Sequence, residues 1–236
     1  MQGGYLSYGL LALLAIALLV AAFTDLKRRQ IDNWLNAAIA LAAPLYWWAS
    51  AMPLASIAWQ LGLCVAVFAI TALLFAMRQM GGGDVKLLSA LALWIAPDQF
   101  LKLCVIMAMI GATLSIVSGV RNMEQRSAEA LRNRLALAAA GLWVLFSLYA
   151  LFVVAGGKPL PLGPALAAVA GPQLALWLLP LIMLALVVAA GAGTMHILRR
   201  QKKRLPIPYG LAISIAGLWL IAAGQVPAIH SAMPLG

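Results

Sequence analysis

The stretch "MRQMGGGDVKLLSALALW" (Met77–Trp94) interrupts a strongly apolar chain with three glycines and a carboxylate. The glycines mark a break between two apolar segments, and Asp84 opens the second. If Pro97 marks one membrane surface, the helix from Val85 is about 20 Å long, against a hydrocarbon core of about 30 Å. We therefore expect Asp84 to lie about 10 Å below the other surface, a depth at which ionisable side chains usually have a function.

The composition of the whole chain is that of a membrane protein. Of the 236 residues, 65% are hydrophobic and 9% are charged, and the mean hydropathy is +1.00. Soluble domains contain about one-half apolar and one-quarter charged residues. Apolar segments of about 18 residues recur, whereas the alternating strands of an outer-membrane barrel do not. We predict an all-α, polytopic membrane helical bundle with about eight transmembrane helices.

The apolar segments predict where these helices lie. They are expected at Tyr5–Thr24, Trp34–Ala51, Ser56–Met77, Val85–Ala96, Leu101–Val120, Leu135–Val154, Leu174–Leu198 and Ile207–Ala223. The segment Gly156–Gln173 is rich in Gly and Pro. An outer loop, a re-entrant segment and the start of a long helix all fit its composition.

The charge of the chain, +10, follows this helix map. All Lys and Arg except Lys102 and Lys158 fall at one end of the helices, which the positive-inside rule makes the cytoplasmic end. Both termini then lie outside the cytoplasm. Topology and anionic lipid account for the basic charge, so we expect no nucleic acid partner. Cys64 and Cys104 are isolated, the two histidines are far apart, and we predict no metal site and no cofactor.

Two of the six acidic residues, Asp25 and Asp84, are predicted at the same end of the bundle on different helices. Two converging carboxylates repel each other, which raises one pKa, so that the pair holds one proton near neutral pH. One acid then activates water and the other protonates the carbonyl oxygen of a scissile amide. Taken singly, Asp84 is also explained as a helix cap, and Asp25 as a partner of Lys27 or Arg28. Structural or solvated roles are expected for Asp32, Asp98, Glu124 and Glu129.

Three blocks of the sequence resemble type IV prepilin peptidases, which are intramembrane GxGD aspartic proteases. "GGGDVKL" (Gly81–Leu87) resembles the G-x-G-D-x-K-L motif of that family. "DLKRRQIDNWLN" (Asp25–Asn36) looks like its first catalytic block, and "IPYGLAIS" (Ile207–Ser214) resembles the P-Y-G-x-A-I element of its last helix. The resemblance covers about Tyr5–Val120 and Lys203–Ala223.

The resemblance implies an inner-membrane endopeptidase that removes the leader of a prepilin or pseudopilin at the cytoplasmic face, just before the apolar N-terminal helix of the substrate. Asp25 and Asp84 would be the catalytic pair, and Gly81, Gly83 and Lys86 would belong to the active-site loop. Candidate residues at the border of the site are Asn33, Pro208, Tyr209 and Gly210. The chain lacks the cysteine-rich insertion of the methylating members and is similar to the short branch that serves Flp pili of tight-adherence systems. Pilus assembly components are then candidate partners.

Two features depart from the pattern of the family. Asp32 stands where the family usually has Pro, and two helices at 135–198 are inserted into a six-helix core. We therefore divide the chain into 1–120 with both catalytic aspartates, 121–200 with a basic loop and the inserted pair, and 201–236 with the final core helix. Two alternative functions remain open: a proton- or cation-coupled transporter that uses the same carboxylates, and a non-catalytic scaffold of a pilus machine.

Overall fold

A computed structural model describes residues 2–123, 130–154, 156, 158, 160–200 and 209–226. In these ranges the chain forms helices and no strand. The helices are α1 (Gln2–Arg28), α2 (Asn33–Ala49), α3 (Leu54–Ala76), α4 (Gly82–Leu91), α5 (Pro97–Arg121), α6 (Ala130–Val154), α7 (Leu162–Ala170), α8 (Pro172–Arg199) and α9 (Tyr209–Ala222). All eight predicted helices are present, with somewhat different ends.

Helix α7 occupies the segment whose structure the sequence left open. It is nine residues long and is followed by Gly171, whose φ is +83°. This left-handed backbone conformation favours glycine. Pro172 then starts α8 at a position where a missing N–H has no cost. The Gly-Pro pair therefore separates a short helix from a long one.

Within the described part of the chain, five helices are long and apolar enough to cross a membrane: α1, α3, α5, α6 and α8. Large apolar side chains such as Leu13, Leu19, Val65 and Leu73 are exposed on α1 and α3, as expected of faces that contact lipid. Helices α2 and α9 are shorter, and α4 has only 10 residues. The predicted all-α, polytopic membrane bundle is confirmed.

Helix α4 ends earlier than the predicted Ala96. The N–H groups of Leu93 and Trp94 bond to carbonyls three residues back, at 3.2 and 3.0 Å, which is the pattern of a tightened last turn. Pro97 disfavours helical backbone at the residue before it. The segment between α4 and α5 is therefore a turn, and α4 is about 15 Å long at 1.5 Å per residue.

The chain divides into two compact units. The first, called the core unit below, comprises Met1–Gly111 and Pro208–Gly236; the second, called the insert unit, comprises Ala112–Ile207. The functions assigned above to 1–120, 121–200 and 201–236 stay predictions.

Helix α4 forms the centre of the core unit. It packs against α2, α3 and α9, and α1 packs against α2 and α9. Leu87 and Leu91 of α4 are fully buried. A Cβ on Gly217 of α9 would lie 2.9 Å from Leu18 Cδ1, so α9 and α1 approach closely at this glycine. The helix that carries Asp84 is thus held from three sides.

Tryptophans fix α2 to the end of α4. The indole N–H of Trp94 donates to the Ile39 carbonyl at 2.9 Å, and that of Trp47 donates to the Leu93 carbonyl at 2.8 Å. The rings of Tyr46 and Trp94 stack with their centroids 5.0 Å apart. Buried indoles usually need such partners, and here these bonds fix the position of α2 relative to α4.

We expect Trp94→Phe to lower the free energy of unfolding in detergent by about 1–3 kcal/mol, because it removes the bond to Ile39 and part of a buried ring. Trp34 is 64% exposed, so Trp34→Phe is the matched control and should change the stability by less than about 0.5 kcal/mol. Thermal unfolding of both variants measures this difference. Equal shifts would contradict the role given to Trp94.

The insert unit is built on the packing of α6 and α7 against α8. A Cβ on Gly193 would lie 2.8 Å from Ala139 Cβ, so α6 and α8 are in close contact. A ring nitrogen of His196 lies 2.9 Å from Asn133 Oδ1. One cluster of buried apolar residues in this unit consists of Ile116, Met123, Ala136, Ala140 and Ile197.

Candidate active site

The loop after α1 and the three glycines at the start of α4 (81–83, called the glycine loop below) line one cavity of about 380 Å³, called the dyad cleft below. Both Asp25 and Asp84 line it. The other lining residues are Arg29, Gln30, Ile31, Asp32, Asn33, Gly81, Gly82 and Gly83. The two carboxylates that were expected to converge from different helices therefore line the same cavity.

Asp25 lies in the last turn of α1 and is 6% exposed. Its Oδ2 accepts a hydrogen bond from the backbone N–H of Leu211 at 3.0 Å. Leu211 is in the first turn of α9, where free N–H groups and the helix dipole stabilise negative charge. The alternative ion pair with Arg28 is not formed, because Arg28 pairs with Asp32 at 3.2 Å. The first turn of α9 therefore holds the Asp25 carboxylate through the Leu211 N–H.

Asp84 lies in the first turn of α4 and is 8% exposed. Gly81 occupies the N-cap position, so the interpretation of Asp84 as the N-cap residue is wrong; its carboxylate instead accepts a hydrogen bond from the Gly81 backbone N–H. Burial, followed by the negative charge of Asp25, raises the pKa of Asp84 to about 6. The pair is therefore able to hold one proton at a pH where isolated carboxyls have lost theirs.

Two glycines lie directly against the carboxylates. A Cβ on Gly81 would be 2.9 Å from Asp84 Oδ2, and a Cβ on Gly210 would be 2.9 Å from Asp25 Oδ2. Both distances are shorter than a carbon–oxygen contact allows without displacement. Each acid thus has one glycine next to it, from the glycine loop and from α9 respectively.

Ile31 is a neighbour of the site that the sequence analysis missed. It is buried, and a Cβ on Gly83 would lie 3.2 Å from its Cβ. A Cβ on Gly210 would lie 2.6 Å from its Cδ1. Ile31 therefore fills the space between the glycine loop and α9. An isoleucine in a loop between two charged segments was a signal for such a buried contact.

Lys86 contacts Asn33 and joins the glycine loop to the start of α2. Its Nζ donates to Asn33 Oδ1 at 2.7 Å. This contact anchors the first turns of α4 to the start of α2. Asn36, one turn further along α2, donates from Nδ2 to the Gly83 carbonyl at 3.5 Å. The spacing of Asn33 and Asn36 on an otherwise apolar helix was a signal that the sequence analysis missed.

The predicted border residues differ in their surroundings. Gly210 lies against Asp25, as described above. Tyr209 begins α9, and a Cβ on Gly111 of α5 would be 3.1 Å from its ring, so its ring packs against α5. Pro208 lies outside the described residues.

Of the other described acids, Asp32 lines the dyad cleft and Asp98 does not. Asp98 accepts a hydrogen bond from Gln99 at 2.6 Å, and Lys102, one turn further along α5, donates to Gln225 at 3.3 Å. Glu124 and Glu129 lie outside the described residues. In the part of the chain that the structure describes, no group of three His, Cys, Asp or Glu side chains is arranged to hold a metal ion.

Comparison with known families identifies the region around the cleft. The sequence profile of the type IV leader peptidase family matches residues 12–120, slightly less than half of the chain. The match includes Asp25 and Asp84 and excludes α6 to α9. No curated protein and no solved structure gives a significant match. Residues 12–120 are therefore similar to the type IV leader peptidase family, which supports the resemblance seen in the sequence.

Proposed function

We propose that the protein is an aspartic endopeptidase that removes the leader of prepilins or pseudopilins at the cytoplasmic face of the inner membrane. The observation that carries this proposal is the position of Asp25 and Asp84 on one cleft, within the region that matches the leader peptidase family. Two buried carboxylates that share a proton are suited to activating water against an amide.

In the proposed mechanism Asp25 is the base and Asp84 is the acid. The Leu211 N–H on Asp25 Oδ2 favours the charged carboxylate at that position, and the raised pKa of Asp84 favours its protonated form. Asp25 removes a proton from water, and the oxygen of the water attacks the scissile carbonyl carbon. At the same time Asp84 gives its proton to the carbonyl oxygen, which yields a neutral tetrahedral intermediate.

The second half of the reaction restores both acids. The C–N bond of the intermediate breaks, and the leaving nitrogen takes the proton held by Asp25. A hydroxyl of the intermediate returns a proton to Asp84 as the new carboxylic acid forms. The products are the leader with a free carboxyl group and the pilin with a free amine, so one water is consumed and the dyad is regenerated.

The glycine loop fits an extended substrate. Peptide hydrolysis needs backbone that has left the helix, and glycines let such backbone approach closely because they lack a Cβ. Gly81, Gly82 and Gly83 all line the cleft. The bond between Lys86 and Asn33 holds this loop at the start of α2.

We infer the orientation and partners from the charges. Basic residues next to the cleft, such as Arg28, Arg29 and Arg78, fit the cytoplasmic face and anionic lipid. Both termini then lie outside the cytoplasm. The substrate is a precursor with an apolar N-terminal helix, of the Flp type, and pilus assembly components are the further proposed partners. No N-methylation of the product is expected.

Co-expression with the pilin precursor encoded beside the gene tests the proposed function. The expected result is a product shortened by its leader, seen by gel shift and mass spectrometry and absent without the protein. An unprocessed precursor at normal membrane abundance of the protein would overturn the proposal. Proton or cation flux in vesicles would then support the transporter alternative.

The pH dependence of the reaction reports the proton on the dyad. Asp84 must be protonated to act as the acid, and its pKa is about 6. We therefore expect kcat/KM to fall on the alkaline side of about pH 6, by up to about tenfold per pH unit, with an apparent pKa that belongs to the pair. Initial rates between pH 5 and pH 8 measure this limb. A rate that rises throughout this range would contradict the acid role of Asp84.

A further inference from the structure

A second cavity, of about 320 Å³, lies beside the dyad cleft and is called the α2–α3 groove below. Helices α2 and α3 form its sides, and α4, against which both pack, contributes Ser89 and Ala90. Asn33 lines both cavities, so the groove and the dyad cleft are neighbours on either side of this residue. Lys86, which bonds to Asn33, also lines the groove. A substrate that occupied both cavities would pass these two residues.

The walls of the groove suit an apolar helix. Ala37 and Ala40 of α2 lie opposite Cys64 and Phe68 of α3. Small residues let helix backbones approach closely within a membrane. The exposed side chain of Phe68 extends the apolar surface towards lipid. From Asn33 to Ala40 the groove follows α2 for about 10 Å, or two helical turns.

Asn36 supplies an unpaired acceptor in this apolar groove. It is 4% exposed, and its Oδ1 has no hydrogen-bond partner among the described residues. Because its Nδ2 donates to the Gly83 carbonyl, the free atom is the oxygen. A buried acceptor without a partner is rare in native proteins and calls for an explanation. Because Asn36 lines the groove, a donor bound there would satisfy this oxygen.

A substrate helix carries the matching donors. The first four N–H groups of any helix have no acceptor within that helix. The proposed substrate is cut just before its apolar helix, so the first turn of that helix emerges next to the scissile bond. Its free N–H groups would then lie near Asn36. Asn36 is bonded to the Gly83 carbonyl, and Asp84 is the next residue in the chain.

We propose that the α2–α3 groove binds the apolar helix of the substrate on the carboxyl side of the scissile bond, and that Asn36 Oδ1 accepts a hydrogen bond from a backbone N–H in the first turn of that helix. This inference rests on the proposed function. It assigns Asn36 a role in positioning the substrate, and it defines the route by which the substrate leaves the dyad cleft.

The two native cysteines allow a direct test of the groove. Cys64 lines it, and Cys104 lies on α5. One variant keeps only Cys64 (Cys104→Ser), and its matched control keeps only Cys104 (Cys64→Ser). A pilin precursor with a single cysteine moved along the first three turns of its apolar helix is bound to each variant and oxidised.

We expect disulfides to Cys64 at precursor positions that recur every three or four residues, and none above background to Cys104. Cleavage of the cysteine-free precursor by each variant is measured in parallel and tests the proposed function separately. If cleavage is normal and Cys64 forms no disulfide, or reacts equally at all positions, the groove proposal is overturned while the peptidase proposal stands.

Substitutions of Asn36 test the hydrogen bond. Asn36→Leu removes the acceptor and the donor, whereas Asn36→Asp keeps an acceptor but replaces the donor to Gly83 with a second carboxyl oxygen. We expect Asn36→Leu to raise KM by about three- to tenfold, the effect of one hydrogen bond, and Asn36→Asp to raise it less. Both variants lose the bond to the Gly83 carbonyl, and Gly83 precedes Asp84. A decrease in kcat that is equal in the two variants is therefore assigned to a displaced Asp84 and not to the acceptor.

A proline in the substrate provides the complementary change, because it removes one N–H and is tolerated in the first turn of a helix. At the position that bonds to Asn36, proline should raise KM with the wild type and have little further effect with Asn36→Leu. Two results would contradict the proposed bond. One is that the effects of the proline and of Asn36→Leu on KM are additive at every position of the first turn, and the other is an unchanged KM in Asn36→Leu.

Discussion

Asp25→Asn and Asp84→Asn each lower kcat by about 10³-fold or more, because the mechanism loses its base or its acid. An amide in place of Asp25 cannot take a proton from water, and an amide in place of Asp84 cannot deliver one to the carbonyl oxygen. The two effects are not additive, since removal of either member of a pair that acts together removes the whole function. Single-turnover cleavage of the precursor by purified protein measures this loss.

Asp32→Asn is the matched control for both variants. Asp32 lines the same cleft, but its carboxylate pairs with Arg28 at the surface. Surface ion pairs contribute little to stability, so activity should stay within about threefold of wild type. Thermal unfolding should show all three variants folded, and Asp84→Asn should be at least as stable as wild type because it removes a buried ionisable group. More than one-tenth of the wild-type rate in either dyad variant would contradict the mechanism.

Gly210→Ala has the second large effect, a decrease of about 10²-fold in kcat, because small displacements of a catalytic group cost about this factor. The added methyl group would lie 2.9 Å from Asp25 Oδ2 and 2.6 Å from Ile31 Cδ1. It must push the carboxylate away from the Leu211 N–H or move α9. The mutation keeps both acidic residues and changes only the packing of α9 against Asp25. It therefore tests whether α9 positions Asp25.

Gly62→Ala in α3 is the control for this variant, because no atom lies within 4 Å of the added Cβ. On helix propensity alone, alanine is favoured over glycine by about 1 kcal/mol, so the control should retain activity and stability. The rate of precursor cleavage is compared for the two variants at equal membrane abundance. Full activity in Gly210→Ala would show that Asp25 does not depend on close packing against α9.

The sequence was sufficient to predict the helices and the two acids for clear physical reasons. Long apolar segments in this chain have no alternative to helices, because a membrane leaves no other partner for backbone polar groups. With only six acids in the chain, the choice of Asp25 and Asp84 needed little more than their place at helix ends. The catalytic roles of these residues stay predictions.

Other features depend on tertiary contacts that leave no trace in local composition. The turn after α4 is bonded to α2 by Trp47, which donates to the Leu93 carbonyl across 46 positions of sequence. The donor to Asp25 is the main-chain N–H of Leu211, 186 positions away, and a main-chain group has no sequence signal of its own. The unpaired oxygen of Asn36 becomes visible only when its burial and its bond to Gly83 are known.

The most direct test of the dyad cleft as a leader peptidase site is cleavage of a pilin precursor by the purified protein in proteoliposomes, with the product masses determined. The account predicts that wild type cuts once, just before the apolar helix. It also predicts that the double variant Asp25→Asn/Asp84→Asn, reconstituted at the same density, leaves the precursor intact. Cleavage by the double variant at the same bond, or no cleavage by the folded wild type, would contradict it.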